Sequence, residues 1–462
     1  MRIALVHRDL HAVTRGGIGT LHRALAPRLR AAGCEVTLIT QHSPRPLELQ
    51  GTRVITLPRT EDMERHRQAV TEALASLAPD IAEASSWEAE TLHYARLPPG
   101  ARAPVVVRGD LSAVTMRAGL PLVTAERELV HAADAVLAVS GFAAADLASA
   151  YAIPRPVVTA NGADRDRFRP GPVTEPAGGH RITLAPDATA ATSEPLPGGA
   201  LPPPWTDPGR GRKRLIWVGK TTPMKGWDRL ERITRDLAGT AHVTVLLGHA
   251  PALSRITLTG TEDNVTILQD LPERDMPGFY RAADWLLSTS RWEGFGLAIA
   301  EALACGTPAL LPAGLGTAPE LLAAGGGRTY RDADDLRAIL NASRPTAGTL
   351  PPRSTGTPRP PPPCAPTRRC AREGRRRSRC ASSSSAPSTR AAACRPTSTP
   401  SRPGWTTTAS RPAGPGPPRS PTTRPGRSSG PRTAWPAPPA PWPARPTRMG
   451  AYVTENLNYL SH

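Results

Sequence analysis

The feature that most constrains the fold is the alternation of short apolar strands with helical stretches through residues 1–340. In the first half, strands are predicted at 3–6, 36–40, 53–57, 104–108, 135–139 and 156–160. In the second half, they are predicted at 214–219, 242–248, 265–269, 285–289 and 308–312. Strands that alternate with helices form parallel sheets covered on both faces. The pattern therefore predicts an α/β chain with two doubly wound, Rossmann-like domains facing a cleft.

The domain boundaries are predicted from changes in composition. Residues 1–170 form an N-terminal domain and residues 214–340 a C-terminal domain, with a Pro-, Gly- and Thr-rich linker or insertion at 171–213. Residues 341–462 contain 20 arginines, no lysine, two acids and 26 of the 54 prolines. Residues 1–340 contain 37 basic and 37 acidic residues, so the whole formal net charge of +18 belongs to the last segment.

The segment 341–462 cannot bury enough apolar surface to offset its ordering entropy, so we predict a disordered basic tail. Three explanations are open: an arm that binds nucleic acid or an acidic surface, a Pro-rich linker, or a coding sequence read out of frame. Shifted GC-rich DNA encodes mostly Arg, Pro, Ala, Ser, Thr and Gly. The abrupt change after Leu340 and the lack of lysine favour the out-of-frame explanation.

The sequence predicts a cytoplasmic protein that binds no metal. The apolar run at the N-terminus is too short for a signal sequence, and no window is long enough to span a membrane. The cysteines of the tail have no short paired spacing and no nearby histidine, which argues against a zinc site.

The most informative local segment is RWEGFGLAIAEALACGTP at 291–308. Glu293 is predicted in a glycine-containing loop, and a helix is predicted to begin near Leu297. The free N–H groups and the helix dipole at this point favour a phosphate. Glu301 is predicted on the first turns of the helix, where a carboxylate can accept hydrogen bonds from paired hydroxyls. Sugar and ribose hydroxyls beside phosphates indicate a nucleotide-sugar.

Two other segments are typical of phosphate binding. Gly16 and Gly17 precede a predicted helix and allow close backbone approach to a phosphate or sugar, although a tight turn that needs a positive φ explains such a pair equally well. Lys220 and Lys225 follow the first strand of the second half, where their charges suit a diphosphate leaving group. Two solvated lysines are the alternative, but the position beyond the C-terminal end of a strand favours a binding role.

Six motifs, in this order, resemble the retaining glycosyltransferases of family 4, which have the GT-B fold. They are GGIGTLHRAL, ADAVLAVSGFAAADL, NGADRDRFRP, WVGKTTPMKGWDRL, FYRAADWLLSTSRWEGFGLAIAEALACGTP and APELL. The resemblance covers residues 1 to about 340. In the family, helices that complete the second domain follow this point. For the chain as written, which has Pro and Arg there, we expect poor solubility and little activity.

The resemblance implies roles for individual residues. Lys225 would contact the donor diphosphate, as would Lys220, where the family more often has arginine. Glu301 would bind the nucleotide ribose, and Glu293 would hold hydroxyls of the transferred sugar. The remaining donor contacts would come from the backbone at Phe295, Gly296 and Leu297 and, from the other domain, from Gly16 and Gly17.

Where many family members have a histidine within reach of the transferred sugar, this chain has Arg108 and Asp110. Either side chain could contact the sugar or the acceptor, and a strand-end turn is an equally good explanation. The predicted catalytic residues are Glu293, Lys225 and, at this position, Asp110. Glu320 matches a family acid near the base of the cleft. The resemblance implies no metal and no cofactor, because the nucleotide-sugar is a co-substrate.

The predicted function is retaining transfer of a sugar, from a UDP-sugar in particular, to a hydroxyl of a small polar acceptor. The segments HRDLHAVTRGG and VRGDLSA resemble glycosyltransferases of aminoglycoside-antibiotic biosynthesis, which implies a cationic aminocyclitol acceptor. Acids in the first domain that could receive such an acceptor are Glu83, Glu88, Glu90 and Asp110. The alternatives are an Arg-rich nucleic-acid-binding protein with a degenerate enzyme domain, an inactive truncated glycosyltransferase, and a phosphorylase or epimerase on the same fold.

Overall fold

The computed structural model contains two mainly parallel sheets that follow one another along the chain. It describes residues 1–10, 16–44, 47–184, 191–196, 201–248, 264–323 and 325–342. The predicted tail lies outside the described residues. No helix of the described residues combines the length and the apolar character needed to cross a membrane.

The first half alternates strands and helices as the sequence predicts. Its strands are β1 (Arg2–Val6), β2 (Glu35–Gln41), β3 (Arg53–Leu57), β4 (Ile81–Ser85), β5 (Val105–Gly109), β6 (Ala135–Ala138) and β7 (Val157–Val158). Its helices are α1 (Gly17–Ala31), α2 (Met63–Leu77), α3 (Leu92–Ala95), α4 (Leu120–Ala132) and α5 (Gly141–Tyr151).

The second half begins with two strands inside the segment predicted as a linker. Its strands are β8 (His180–Leu184), β9 (Ala191–Pro195), β10 (Lys213–Gly219), β11 (Ala241–Leu247), β12 (Val265–Gln269), β13 (Trp285–Leu287), β14 (Ala309–Pro312) and β15 (Gly327–Tyr330). Its helices are α6 (Trp227–Asp236), α7 (Met276–Arg281), α8 (Leu297–Ala304), α9 (Ala318–Leu322) and α10 (Ala333–Asn341).

The strand order shows where each sheet can hold a ligand. Within the described residues, the first sheet has the order β3-β2-β1-β4-β5-β6-β7, and the second has the order β15-β14-β13-β10-β11-β12-β8-β9. The first sheet is parallel throughout, and β8 and β9 are antiparallel additions at an edge of the second. The order reverses between β1 and β4 and between β10 and β13. Ligands of open α/β sheets bind at the carboxyl ends of such strand pairs.

Both sheets bury both of their faces, which explains the nearly continuous apolar strands. In β1, Ala4 and Val6 join one apolar cluster, and Ile3 and Leu5 join another on the opposite face. In β10, Trp217 packs with α6 and α10, and Ile216 packs with α7 and α8. The two doubly wound sheets confirm the predicted fold class.

The segment at 171–213, predicted as a linker or insertion, contributes two strands to the second sheet. Strand β8 pairs antiparallel with β12, with Ile182 opposite Ile267, and β9 pairs with β8. The hairpin therefore extends the second sheet. Two further strands, β4 and β15, were also not predicted from the sequence.

Candidate active site

The loops that follow β10 and β13 are held together at the switch point of the second sheet. The backbone N–H of Arg291 donates to the carbonyl of Met224 at 2.9 Å. The Thr289 hydroxyl donates to the carbonyl of Lys225 at 2.8 Å. Gly226 has a φ of 65°, and a Cβ at this position would lie 2.0 Å from the Thr289 carbonyl oxygen. Only glycine fits at position 226. This close packing of Gly226 against Thr289 fixes the position of the neighbouring Lys225 in its loop.

Lys225 and Glu293, both predicted donor contacts, are paired with each other. Lys225 Nζ lies 2.6 Å from Glu293 Oε1, and the Ser290 hydroxyl donates to the same oxygen at 2.7 Å. Glu293 is 9% exposed. The ammonium group is thus held at the place where the two loops meet, beside the start of α8.

Helix α8 begins at Leu297, as the sequence predicts. Gly296 precedes it with φ 91° and ψ 58°, and no side chain caps the helix among the described residues. A helix start with this geometry presents N–H groups and a partial positive charge to its surroundings. The N-terminus and the Lys225 ammonium together can bind the negative charges of a phosphate group.

Glu301 lies one turn into α8 and is oriented by a buried tyrosine. The Tyr280 hydroxyl donates to Glu301 Oε2 at 2.7 Å. Tyr280 is itself held by the Thr307 hydroxyl, which donates to the Tyr280 carbonyl. The sequence predicted Glu301 but not the tyrosine that fixes its carboxylate.

The predicted glycine pair lies opposite the N-terminus of α8. Gly16 precedes α1 with an extended backbone, φ −102° and ψ 151°, and neither Gly16 nor Gly17 has a positive φ. The tight-turn explanation for this pair is therefore wrong. A Cβ on Gly17 would lie 3.8 Å from Leu297 Cδ1, and a Cβ on Gly16 would have no atom within 4 Å. The absence of side chains here leaves room between the starts of the two helices.

Two other predicted donor contacts occupy different positions. Lys220 directly follows β10 and is exposed, and a Cβ on Gly248 would lie 3.8 Å from its Cγ. Phe295 is partly buried and packs against an apolar cluster of the first sheet. The side chain of Phe295 thus joins the two halves.

Asp110 lies in the cleft, whereas Arg108 does not. A Cβ on Gly294 would lie 3.1 Å from Asp110 Oδ1, so this carboxylate faces the loop that carries Glu293. Burial raises the pKa of Asp110 to about 6, against the opposing charge of Arg108. Arg108 is 2% exposed and donates to both carboxylate oxygens of Glu83, at 2.8 and 3.3 Å. The prediction that Arg108 contacts the sugar or the acceptor is therefore wrong.

A second set of contacts joins the halves at the start of α5. The Glu320 carboxylate accepts hydrogen bonds from the backbone N–H groups of Gly141 at 2.8 Å and Phe142 at 2.7 Å. The Ser140 hydroxyl donates to the Gly294 carbonyl at 2.6 Å. Glu320, predicted near the base of the cleft, thus caps a helix of the other domain.

The first sheet has a buried polar network that the sequence did not predict. His7 and His66 both contact the fully buried Glu90, at 2.9 and 2.8 Å. Glu83 and Glu90 therefore already have partners, and their predicted availability for a cationic acceptor is wrong. Glu88 is 3.4 Å from Arg8 and retains some exposure. The signal for His7 was its position directly after a strand of a doubly wound sheet.

Among the described residues, no group of three or more His, Cys, Asp or Glu side chains is arranged to hold a metal ion. Asp164, whose spacing from Asp166 resembles a metal-binding acid pair, lies 3.1 Å from Arg28. It also accepts a hydrogen bond from the backbone N–H of Asp166. These contacts give Asp164 a structural role.

Comparisons with known proteins agree with this architecture. A family model described as Glycosyltransferase Family 4 matches residues 15–167, and one described as Glycosyl transferases group 1 matches residues 207–339. The D-inositol 3-phosphate glycosyltransferase 2 of Catenulispora acidiphila is 30% identical over 200 residues, 40% of this chain and 41% of the relative. The chain thus spans less than half of the length of this curated relative.

Solved structures show the same fold. Sucrose-phosphate synthase from Thermosynechococcus elongatus aligns with a TM-score of 0.56 at 18% identity, covering 76% of this chain and 92% of that one. Anabaena HepE, solved in complex with UDP and glucose, aligns with a TM-score of 0.52 at 17% identity, covering 75% and 92%.

Proposed function

We propose that this chain, which carries the two domains of a GT-B glycosyltransferase, transfers a sugar from a UDP-sugar to a hydroxyl of a small polar acceptor with retention of configuration. The observation that carries the proposal is the convergence of Lys225, Glu293 and the uncapped start of α8 at one switch point. The glycines at the start of α1 leave space opposite them. These groups match the diphosphate and the hydroxyls of a nucleotide-sugar.

In the proposed reaction, the bond between the sugar C1 and the diphosphate oxygen breaks as the acceptor oxygen bonds to the same face of C1. Lys225 and the N-terminus of α8 stabilise the charge that develops on the diphosphate. The acceptor hydroxyl loses its proton to the departing phosphate oxygen. When the donor enters, its phosphate competes with Glu293 for Lys225, and the released carboxylate accepts hydrogen bonds from sugar hydroxyls. Glu301, oriented by Tyr280, binds the ribose.

For the acceptor we propose a cyclitol, and specifically an aminocyclitol. One relative is named as a D-inositol 3-phosphate glycosyltransferase, which supports a cyclitol ring in the acceptor. The segments HRDLHAVTRGG and VRGDLSA, which resemble enzymes of aminoglycoside-antibiotic biosynthesis, support amino groups on that ring. Of the acids proposed to receive it, Asp110 faces the cleft and Glu88 keeps partial exposure, while Glu83 and Glu90 are fully buried.

Because we expect little activity from the chain as written, the test uses both the full chain and a chain whose residues after Leu340 are replaced by the in-frame translation. Each is assayed with UDP-glucose and a panel containing an aminocyclitol, inositol and inositol phosphate. We expect release of UDP that depends on one of these acceptors, and NMR of the product should show the anomeric configuration of the donor. Free phosphate should not stimulate the reaction, which separates a transferase from a phosphorylase. Failure to bind UDP in calorimetry would refute the proposal at the level of the donor. An inverted product would refute the mechanism alone.

We also propose that residues 341–462 are translated out of frame and that the protein acts in the cytoplasm. The family match ends at residue 339, next to the change in composition. Translation of the encoding DNA in its other two frames should recover amphipathic helical patterns directly after Leu340. If neither frame does, the nucleic-acid alternative is tested by DNA binding that falls steeply with salt and is lost on deletion of 341–462.

A further inference from the structure

The buried network of the first sheet lies at that sheet's own switch point. His7 directly follows β1, and Glu90 follows β4, the strand beside it. Glu90 is fully buried, with His7 Nδ1 2.9 Å from one carboxylate oxygen and His66 Nε2 2.8 Å from the other. Burial alone would raise the pKa of Glu90, but these two hydrogen bonds lower it to about 2, so the carboxylate is ionised and can only accept.

The hydrogen bonds determine the tautomer of each histidine. Gln41 Nε2 lies 3.2 Å from the Thr60 carbonyl oxygen, which can only accept, so this atom is the amide nitrogen. The same nitrogen lies 3.0 Å from His66 Nδ1, which must therefore be unprotonated. His66 then donates to Glu90 through Nε2, and His7 donates through Nδ1. The position of the His7 proton is thus set, and Nε2 is the atom of His7 that titrates.

His7 Nε2 remains available for a ligand. The side chain of His7 is 10% exposed. Among the described residues its hydrogen bond to Glu90 uses Nδ1, and Nε2 is accessible to solvent. A Cβ on Gly19, in the first turn of α1, would lie 3.9 Å from His7 Cδ2. The charges of His7 and Glu293 both act on Asp110, one lowering and the other raising its pKa. His7 itself lies at the carboxyl end of β1 and beside the start of α1, on the first-domain side of the cleft.

We propose that His7 Nε2 accepts a hydrogen bond from a hydroxyl of the acceptor, with Glu90 and His66 as positioning residues. The inference rests on the proposed function and assigns the acceptor side of the site to the carboxyl end of β1. His7 binds the acceptor and takes no proton from it, since the proton of the attacking hydroxyl leaves with the diphosphate. A carboxylate that fixes an imidazole in this way keeps one ring nitrogen directed at the ligand.

This arrangement predicts a pH dependence of acceptor binding. Burial lowers the pKa of His7, but the hydrogen bond and charge of Glu90, with the charges of Asp9 and Glu88, raise it above its ordinary value. When the pH falls through this pKa, Nε2 gains a proton and can no longer accept a hydrogen bond. The KM for the acceptor should then rise.

Other titratable groups surround His7, and their effect on the pH profile must be distinguished from that of His7. Burial lowers the pKa of His22, on α1, to about 4, so its ring is neutral over the working range. Arg108, on β5, stays charged. Asp110, after β5, has a pKa raised by burial to about 6, so its titration also contributes to the pH profile. The variant Asp110→Asn removes the titration of Asp110. It should retain the rise in the acceptor KM at low pH, the acid limb of the profile, that belongs to His7.

The experiment compares His7→Asn with His7→Gln in acceptor kinetics. The asparagine can still donate to Glu90 but has no atom at the position of Nε2, so the KM for the acceptor should rise about five- to tenfold. The glutamine can place an amide oxygen near that position, so it should recover part of the loss and remove the acid limb. The affinity for UDP, measured by calorimetry, should stay unchanged in both. His93→Asn, which alters a histidine paired with Glu64 outside the network, is the control.

Glu90→Gln tests the positioning role, because it removes the charge that raises the pKa of His7. The acid limb of the acceptor KM should move to lower pH, a change that simple loosening of the fold would not cause. An unchanged acceptor KM in His7→Asn, or an unmoved acid limb in Glu90→Gln, would overturn the inference while leaving donor binding intact. Loss of UDP binding in the parent chain would instead refute the proposed function.

Discussion

The contact between Glu320 and the start of α5 gives the sharpest test of how the two halves cooperate. Its carboxylate accepts hydrogen bonds from the N–H groups of Gly141 and Phe142, at 2.8 and 2.7 Å, across the boundary between the domains. Glu320→Ala removes both bonds and the favourable interaction of a negative charge with a helix N-terminus. We expect this variant to lower the population in which the donor loops and the first domain meet.

The magnitude follows from the exposure of the contact. An exposed charge at a helix N-terminus contributes roughly 0.3–1 kcal/mol, and two hydrogen bonds that compete with water contribute a similar amount. A total of about 1–2 kcal/mol corresponds to a roughly 5- to 30-fold change in the equilibrium between joined and separated domains. The fall in kcat/KM for the donor should lie in this range if the joined arrangement is the reactive one.

The assay measures donor kinetics together with the radius of gyration by solution X-ray scattering. Glu320→Ala should lower kcat/KM and increase the radius, and Glu320→Gln should give an intermediate result. Glu128→Gln, which removes a surface carboxylate paired with Arg96 inside one domain, is the matched control. Wild-type kinetics and radius in Glu320→Ala would refute the reasoning.

Three further predictions concern the proposed donor site. Lys225→Met should lower kcat/KM by about 10²–10³-fold through loss of charge stabilisation, measured as UDP release, and a rate near that of the parent would exclude Lys225 from catalysis. Tyr280→Phe should weaken UDP binding about tenfold in calorimetry because Glu301 loses its hydrogen bond, and equal affinity would show that Glu301 needs no such support. Gly17→Val should block the space in front of Leu297 and raise the donor KM with no loss of Tm, whereas an unaffected KM would place the donor elsewhere.

Local patterns predicted two helix starts and the glycine-containing loop that carries Glu293, which belongs to the proposed donor site. The start of α8 at Leu297 and that of α1 at Gly17 follow directly from the glycines before them. Strand β4 was missed because its sequence, IAEAS, has Glu83 in the middle. That charge is tolerated because Arg108, on the adjacent strand, neutralises it. Such a partner, 25 residues away, is visible only in the folded chain.

The polar network and the inserted hairpin were beyond sequence reasoning for the same physical reason. Gln41, His66 and Glu90 come from three different parts of the chain, and only the parallel order of the strands brings them together. Strands β8 and β9 have a composition that favours loops, and they form strands because β12 offers an edge to pair with. Strand formation depends more on such context than on the residues themselves.

The path of the chain between the domains limits how they can move. Asn161 is tied to the first sheet through the carbonyl of Val139, and Arg167 is tied to the second domain through Glu273. Within the described residues the chain passes between the domains only there. Within the part of the chain that the structure describes, a change in the angle between the sheets would be accommodated by backbone torsions of residues 162–166. The inserted hairpin anchors the later part of the connection to the second sheet, so the domains share a short pivot instead of a long flexible tether.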